Sequence, residues 1–461
     1  MYNLGNLIDQ SKDLNKVAVI CNNQPYSYKQ LTQLISGVSA GLVEHGIVPG
    51  DRVAIISDNS VNFIATYLGI LQVGATAVLI NSKLPGEQIN YILDDSRAVM
   101  IFTDRPLITI ITAVHFDNLK QFCLDKQVPV ITQDPAVILY TSGSTSVPKG
   151  VVLSHNHKWI IDSNVAGSKP ATKTILVAAP MYHMNGLSNM ETAIAGHATL
   201  ILMPRFEPVE CLKLIEQHKI TTITSVPTML AMMLEKHNQE DLSSVKEIFM
   251  ASAPVSQNLF DSVKKLFSNA FVKNAYGITE IGPGVFGRHP TLPTPELSVG
   301  YPRQGIEYKL IDNMLYVRSP AMMLKYNNIE SPLTDDGYFK TNDLFRIDAN
   351  GFYYFVGRAD DMFVSGGNNI YPRQVEIVIE SYPDIISAAV VGIADELKGT
   401  KPYAFVTTRS AFNEEDLKEF VLTKLPHSHC PRKFWTLEQM PLTSINKIDK
   451  KKLTELAINE L

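Results

Sequence analysis

The sequence is short of cysteine, of long apolar runs and of net charge, and each shortage removes a class of protein. Four cysteines among 461 residues, at 21, 123, 211 and 430, are far too few for a disulfide scaffold, and none forms a CxxC pair. Their spacings are too wide for a structural zinc site. His427, His429 and Cys430 lie close together but lack a fourth ligand, so a metal reading is rejected there. A reducing cytoplasm is the expected compartment. The opening segment, MYNLGNLIDQSKDLNK, has no basic start leading into an apolar run, so no signal peptide is expected. The most apolar early stretch, 64–80, is broken by Thr66, Gly69, Gln72, Gly74 and Thr76. That predicts a buried helix and strand rather than a membrane span. Lys plus Arg number 41 against 46 Asp plus Glu, a net charge of −5. Nothing global therefore attracts nucleic acid or an anionic membrane.

What is present is ordinary globular composition, 45% apolar and 19% charged, over a length that suits two or three domains. Helix and strand patterns alternate from the start. Helical spacing over 28–46 is followed by a strand at 51–56, a helix at 59–73, a strand at 77–80, a helix at 85–94 and a strand at 99–103. The rhythm continues with strands at 174–178, 198–203 and 221–225 and a helix at 208–218. This order predicts an α/β fold of mostly parallel sheets flanked by helices. After about Ser298 short strands dominate, at 308–311, 314–318, 344–347 and 352–356, with turns DDG, DANG and GGNN between and after them. From Arg358 the pattern returns to α/β, with helices at 372–382 and 414–424. A boundary is expected at the turn 357–360, giving a large domain over 1–357 and a small α+β domain over 358–461.

The strongest local signal is Tyr140-Thr-Ser-Gly-Ser-Thr-Ser-Val-Pro-Lys-Gly-Val151. An apolar strand runs into five small hydroxyl or glycine residues, and a lysine follows. Backbone amides in such a loop can face an anion, and the lysine adds charge. The spacing is not the Walker pattern, since no GK[ST] closes the loop.

The segment resembles the phosphate loop of the adenylate-forming superfamily, whose form is YTSGTTGxPKGV. Further motifs follow in that family's order: APMYHMNGL at 179–187, ASAP at 251–254, YGITE at 276–280 and DGYFKTND at 336–343. GRADD at 357–361, SGGNNIYP at 365–372 and PLTSINKI at 441–448 complete the set. Eight motifs in one order span essentially the whole chain, so it is identified as similar to AMP-forming acyl- and aryl-CoA synthetases. The resemblance implies ATP, Mg²⁺ and coenzyme A as reactants and cofactor, with a small-molecule carboxylic acid as partner. It also implies a small domain that swings on a hinge at Asp360.

The resemblance assigns residues as follows. Thr141, Ser142, Gly143, Ser144, Thr145 and Lys149 would hold phosphates. Ser252, Ala253, Pro254, Asn274, Tyr276 and Gly277 would hold the adenine, and Thr279 would touch phosphate. Glu280, with Thr141, would hold magnesium, for which a carboxylate oxygen suits a hard cation. Asp343 would accept the ribose hydroxyls, and Arg358 would contact ribose and phosphate. Lys447 would meet the acid and the α-phosphate in the adenylation step, as a placed cation can. His183 would sit at the carboxylate end, and Gly366 and Gly367 would face the arm of coenzyme A. His183, Asn185, Ser188, Val226, Met250, Gly277 and Ile281 would line the acid pocket. Gly277 stands where short-chain synthetases carry Trp, so room for a longer or aromatic acid is expected there. A fatty or aryl acid fits this mostly apolar set, and fatty-acid metabolism would follow. Arg288 and His289 leave open an acid with a second carboxylate, such as o-succinylbenzoate.

Three positions depart from the family pattern: Ser146, Asn342 and Asn446 each replace a glycine. Asparagine tolerates positive φ better than most residues. Two other readings stay open: an acyl-AMP ligase loading the phosphopantetheine of a carrier protein, and a nucleotide-binding relative without catalysis. A homodimer is one assembly left open.

Overall fold

A computed structural model describes residues 3–105, 112–115, 133–141, 148–168, 170–330, 332–396, 398–443 and 446–460. Its first helix, Tyr28–Glu44, starts where the sequence supplies a capping box. The Ser27 hydroxyl accepts from the Gln30 amide at 3.2 Å, and the Gln30 side chain accepts from the Ser27 amide at 2.8 Å. Helix Val61–Gln72 is buried almost all round, and strand Arg52–Ile56 before it shows why. Val53 and Ile55 enter one core, Ala54 and Ile56 another. A strand buried on both faces reads as a continuous apolar run.

Two seven-stranded sheets form the large domain. In one, Phe271–Asn274, Glu247–Met250, Thr222–Ser225, Thr174–Val177, Thr199–Leu202 and Val17–Cys21 run parallel in that order, and Gln24–Ser27 closes an edge antiparallel. In the other, Pro135–Thr141, Thr76–Ile80, Arg52–Ile56, Met100–Thr103 and Thr112–His115 run parallel. Lys149–Ser154 returns antiparallel beside Pro135–Thr141, and Lys325–Tyr326 pairs with it. Helices Tyr28–Glu44, Val61–Gln72 and Met184–Ala195 fill the core between the sheets. Helices Pro208–His218, Pro227–Lys236 and Gln257–Leu266 cover the outside of the first sheet, and Gly86–Ser96 covers the second. The stack is therefore helix, sheet, helix, sheet, helix.

A four-stranded antiparallel sheet follows, ordered Glu307–Ile311, Met314–Arg318, Phe339–Ile347, Tyr353–Arg358. Its first hairpin turns on Asp312 and Asn313, with φ of 51° and 63°, the two left-handed residues of a tight hairpin. The chain then passes to the small α+β domain. There Ile385–Asp395 and Gly399–Thr408 form a long hairpin, flanked by Phe363–Ser365, Asn368–Ile370 and Phe434–Thr436. Helices Pro372–Glu380, Glu414–Lys424 and Lys450–Glu460 pack on it. Among the described residues no helix is long and apolar enough to cross a membrane.

Candidate active site

A cleft of about 2690 Å³ opens between the large and small domains. One small ligand occupies roughly 300–1,000 Å³, so this cleft has room for several substrates. The parallel strands of the first sheet carry their C-terminal ends toward it, where Ala251 to Pro254 and Ala275 to Glu280 follow directly. Ligands collect at such strand ends because the loops there are free to shape themselves around them. The cleft brings together Thr141, His183, Ser252, Tyr276, Thr279, Glu280, Asp343, Arg358, Asp360 and Lys447, and its lining also includes Ala253, Pro254, Asn274 and Gly277. Ser142, Gly143, Ser144, Thr145 and Ser146 lie outside the described residues. Their two flanks are fixed, because Thr141 and Lys149 face each other across the hairpin ladder.

Asp343 is the centre of one end. It is 2% exposed and pairs in register with Arg358 on the adjacent strand. The Tyr276 hydroxyl donates to Asp343 Oδ2 at 2.5 Å, while Oδ1 has no hydrogen-bond partner among the described residues and lies 3.5 Å from Arg358 Nη1. Burial pushes the Asp343 carboxyl up to about 6, against the pull of Arg358 and the Tyr276 hydroxyl. Asn342, just before it, has φ 58° and donates from Nδ2 to Asp360 at 3.2 Å. Arg358 Nη2 reaches the same Asp360 carboxylate at 3.4 Å. Asn274 donates to the Leu297 carbonyl at 3.0 Å, which leaves its own oxygen as an acceptor.

Glu280 is held from one side only. The Tyr326 hydroxyl donates to its Oε1 at 2.9 Å, and Lys149 lies 5.6 Å from the centre of the Tyr326 ring. Burial, reinforced by Glu280, pushes the Tyr326 phenol far above its ordinary range, so it stays a donor. No three of His, Cys, Asp or Glu converge into a protein-only metal cage among the described residues. One carboxylate beside a threonine hydroxyl suits Mg²⁺, which takes one or two protein carboxylates and completes its shell with phosphate oxygens and water. Glu280 and Thr141 fit that donor set.

His183 caps helix Met184–Ala195 without a side-chain bond to it, and its Nε2 has no partner among the described residues. Burial and the nearby Lys447 lower it to about 3, so it is a neutral imidazole at pH 7. Burial and Arg358 lower Lys447 as well, against Asp343. No described carboxylate lies within ion-pair distance of Lys447. Its segment is fixed from the large domain: the Thr228 hydroxyl donates to the Asn446 carbonyl, and Thr443 Oγ1 accepts from the Lys447 amide at 3.2 Å. Asn446 has φ 57°, the conformation expected of an asparagine in glycine's place.

The acid end departs from expectation at Met250, Ile281 and Gly277. Met250 and Ile281 are fully buried in the apolar cores and do not line the cleft. Strand alternation is the reason: Phe249 and Ala251 face the cleft, so Met250 faces the helices. Gly277 lines the cleft but supplies no extra room. A Cβ there would stand 2.8 Å from the Gly282 carbonyl oxygen and the Gly284 amide, so glycine serves close backbone approach. His183, Asn185, Ser188 and Val226 do line the space. Asn189, Thr192, Thr222 and Thr224 add polar groups to a lining that stays mostly apolar, with Met229, Met232 and Phe249.

The lining also holds two cations that the sequence reading missed, Lys273 and Arg303. Of the two residues expected to read a second carboxylate, Arg288 does line the cleft, where it is largely exposed, 3.6 Å from Glu247 and stacked over Phe271. His289 lies outside the cleft lining, where its Nδ1 accepts from the Thr291 and Leu292 amides. Gly366 and Gly367 also lie outside the cleft, in the turn joining Phe363–Ser365 to Asn368–Ile370, with φ of 56° and 81°.

One strand-end cleft thus gathers Asp343, Glu280 and Lys447 from distant motifs, in a fold of the adenylate-forming class. The chain belongs to the AMP-binding enzyme family: that family's model matches residues 9–327, and the model of the AMP-binding enzyme C-terminal domain matches 374–447. The 2-succinylbenzoate–CoA ligase of Bacillus subtilis is 27% identical over 97% of this chain and 96% of its own length. Among solved structures, o-succinylbenzoate CoA synthetase from Bacillus subtilis with its acyl-adenylate intermediate superposes with a TM-score of 0.83 at 27% identity, covering 96% of each chain. ATP-bound MatB from Rhodopseudomonas palustris superposes with a TM-score of 0.89 over 98% of each chain at 23% identity, a likeness of fold.

Proposed function

We propose that the chain is an AMP-forming acid–CoA ligase. In the first step a carboxylate oxygen attacks the α-phosphorus of ATP. A bond forms from carboxylate to phosphorus, the bond to pyrophosphate breaks, and acyl-AMP remains. In the second step the thiol sulfur of coenzyme A attacks the acyl carbon, AMP leaves, and the thiol proton passes to solvent. The single observation that carries this reading is the pairing of Lys447 with Asp343 in one cleft. One is a half-buried cation without a described carboxylate in ion-pair distance, the other a buried carboxylate with one oxygen that receives no hydrogen bond. Asp343 Oδ1 would accept a ribose hydroxyl. Lys447 would bring the acid and the α-phosphate together despite their like charge. His183, neutral, would lie against the acid without adding a charge. Glu280 and Thr141 would hold Mg²⁺, which neutralises phosphate charge when bound.

We place the hinge at Asp360, between residues 1–357 and 358–461. Asp360 is tied to both Asn342 and Arg358, so a turn there releases two side chains together. Gly366 and Gly367, outside the cleft in this arrangement, would reach the pantetheine arm after that turn. A cytoplasmic location and a homodimer belong to this reading. The polar side chains of Asn189, Thr222 and Thr224 in the lining favour an acid with polar substituents over a plain fatty chain. The relatives' acid, 2-succinylbenzoate, therefore heads the panel that tests the proposal. Pyrophosphate release should require one acid of the panel, and mass spectrometry should find the corresponding acyl-CoA. Pyrophosphate release with no acyl-CoA would move the acceptor to a carrier protein. ATP binding with no acid-dependent release would overturn the ligase reading.

A further inference from the structure

Lys273 stands on strand Phe271–Asn274, on the face turned toward the acid chamber, and is 7% exposed. Its Nζ donates to the Gly287 carbonyl at 3.1 Å. Arg303 also lies close to this glycine. A Cβ on Gly287 would lie 3.9 Å from Arg303 Nε, and one on Gly284 would lie 3.8 Å from Arg303 Nη2. Nη1 of Arg303 donates to Ser163 Oγ at 3.1 Å and Asn164 Oδ1 at 2.9 Å. All these partners are neutral. The nearby carboxylate, Glu247, is bound to Lys173 and faces Arg288 at 3.6 Å. Among the described residues no carboxylate lies within ion-pair distance of Lys273 or Arg303.

Gly300 helps to hold this arrangement open. A Cβ there would meet the Gly287 oxygen at 2.5 Å and Lys273 Nζ at 3.1 Å. Two cations sharing one glycine, without a counter-charge, are unfavourable in a closed chamber. They repel each other, and burial, with Arg303 and then Arg288 adding to it, drives the Lys273 ammonium down to about 8. An anion between them would remove the cost.

We infer that Lys273 and Arg303 form the specificity site for a second anionic group on the acid, in the same cleft as His183 and Lys447. This rests on the ligase reading above and narrows its substrate class to acids that carry two anionic groups, one activated and one bound. The bound group would take donors from Lys273 Nζ and the free guanidinium edge of Arg303. Charged hydrogen bonds of that kind are each worth about 1.5–3 kcal/mol. Thr222, Thr224 and Asn189 line the intervening space and suit polar substituents on the spacer.

The test uses the full chain with ATP, Mg²⁺ and coenzyme A. Acids are supplied in pairs with one carbon skeleton, one member with a second carboxylate and one without, on aliphatic and aryl spacers. Pyrophosphate release gives kcat and KM. The wild type should prefer the dicarboxylic member of the best pair by roughly ten- to a hundred-fold in kcat/KM. Lys273→Met and Arg303→Met should each raise KM for that member, with little change in kcat or in the monocarboxylic KM. The double variant should lose the preference. ATP binding, read by thermal shift, should stay at the wild-type value in every variant.

Equal use of both members by the wild type would overturn the proposal while leaving the ligase reading intact. So would variants that melt earlier but keep the preference, which would make the two side chains pins for the 286–303 segment. Should Lys273→Met fail to fold, Arg303→Lys decides. It keeps the charge and loses the planar donors, so an unchanged preference overturns the role of Arg303. Failure of every acid to support pyrophosphate release, with ATP still bound, would sink the ligase reading and this inference with it.

Discussion

Two buried charge clusters in this molecule follow opposite rules. Under helix Pro372–Glu380, Arg373 Nη1 lies 2.9 Å from Glu380 and 3.5 Å from Glu376, and Lys450 lies 2.7 Å from Glu376. The Val390 and Ala388 amides donate to these carboxylates, and Arg373 Nη2 donates to the Val255 carbonyl of the large domain at 3.1 Å. Two cations meet two carboxylates. Burial works against the Glu376 carboxylate, yet Lys450 and Arg373 together hold it below its ordinary range. Around Asp343 and Lys447 the balance is looser, with Arg358 3.5 Å from Asp343 Oδ1 as the one ion pair to that carboxylate among the described residues. Asp343 keeps an open oxygen at 2% exposure, and Lys447 has no described counter-ion. A balanced cluster belongs to the fold. An unbalanced one is completed by what binds there.

Substitutions in the two clusters should therefore separate activity from stability. The largest effect is expected for Lys447→Ala. Adenylate formation should fall by about a hundred- to a thousand-fold, the scale of losing a placed electrostatic group. Thioester formation from presynthesised acyl-AMP should largely survive. Equal loss of both steps, followed by pyrophosphate and thioester assays, would remove Lys447 from the role given to it. Next comes Arg373→Met, which strands the buried Glu380, leaves Glu376 to Lys450 alone and should cost about 3–5 kcal/mol of stability. A urea midpoint unmoved from wild type would show that the balance does not matter. The smallest is Asp343→Asn, where the sign is the informative part. Its carboxyl titrates near 6 when folded against an ordinary 3.8. Between those values the folded chain binds more protons than the unfolded one, so this residue's contribution to stability falls as pH rises from about 4 through 6. Asp343→Asn should flatten that slope and leave stability at pH 7 unchanged or slightly higher, while raising the KM for ATP about ten-fold. A clear loss of stability at pH 7 would put Asp343 with the balanced cluster.

Much of the fold was legible because period and punctuation agreed. Helix 28–46 stops at Glu44, two residues before Gly46 with φ 78°, and strand 51–56 appears as Arg52–Ile56. Strands 308–311 and 314–318 were separated by an Asp-Asn pair, and that pair makes the turn. The nucleotide end was legible through the order of its motifs, with Asp343, Tyr276, Glu280 and Lys447 meeting in one cleft. The acid end was not. Its residues come from a strand, a turn and two helices, and no spacing in the sequence joins Lys273 to Arg303 or to Ser163. Two signals were available. A lysine inside the strand pattern Phe-Val-Lys-Asn is unusual unless its face meets something polar. Alternation from Phe249 and Ala251 would have turned Met250 away from the acid.

The contact between Thr228 and the Asn446 carbonyl has one further meaning. The large domain grips the lysine segment by its main chain, and every residue type offers the same carbonyl there. Position 446 can thus change its side chain without losing its anchor, provided the new residue accepts a left-handed backbone. Anyone grafting this segment into another ligase should carry the threonine across with it, since the clasp is written on the opposite domain.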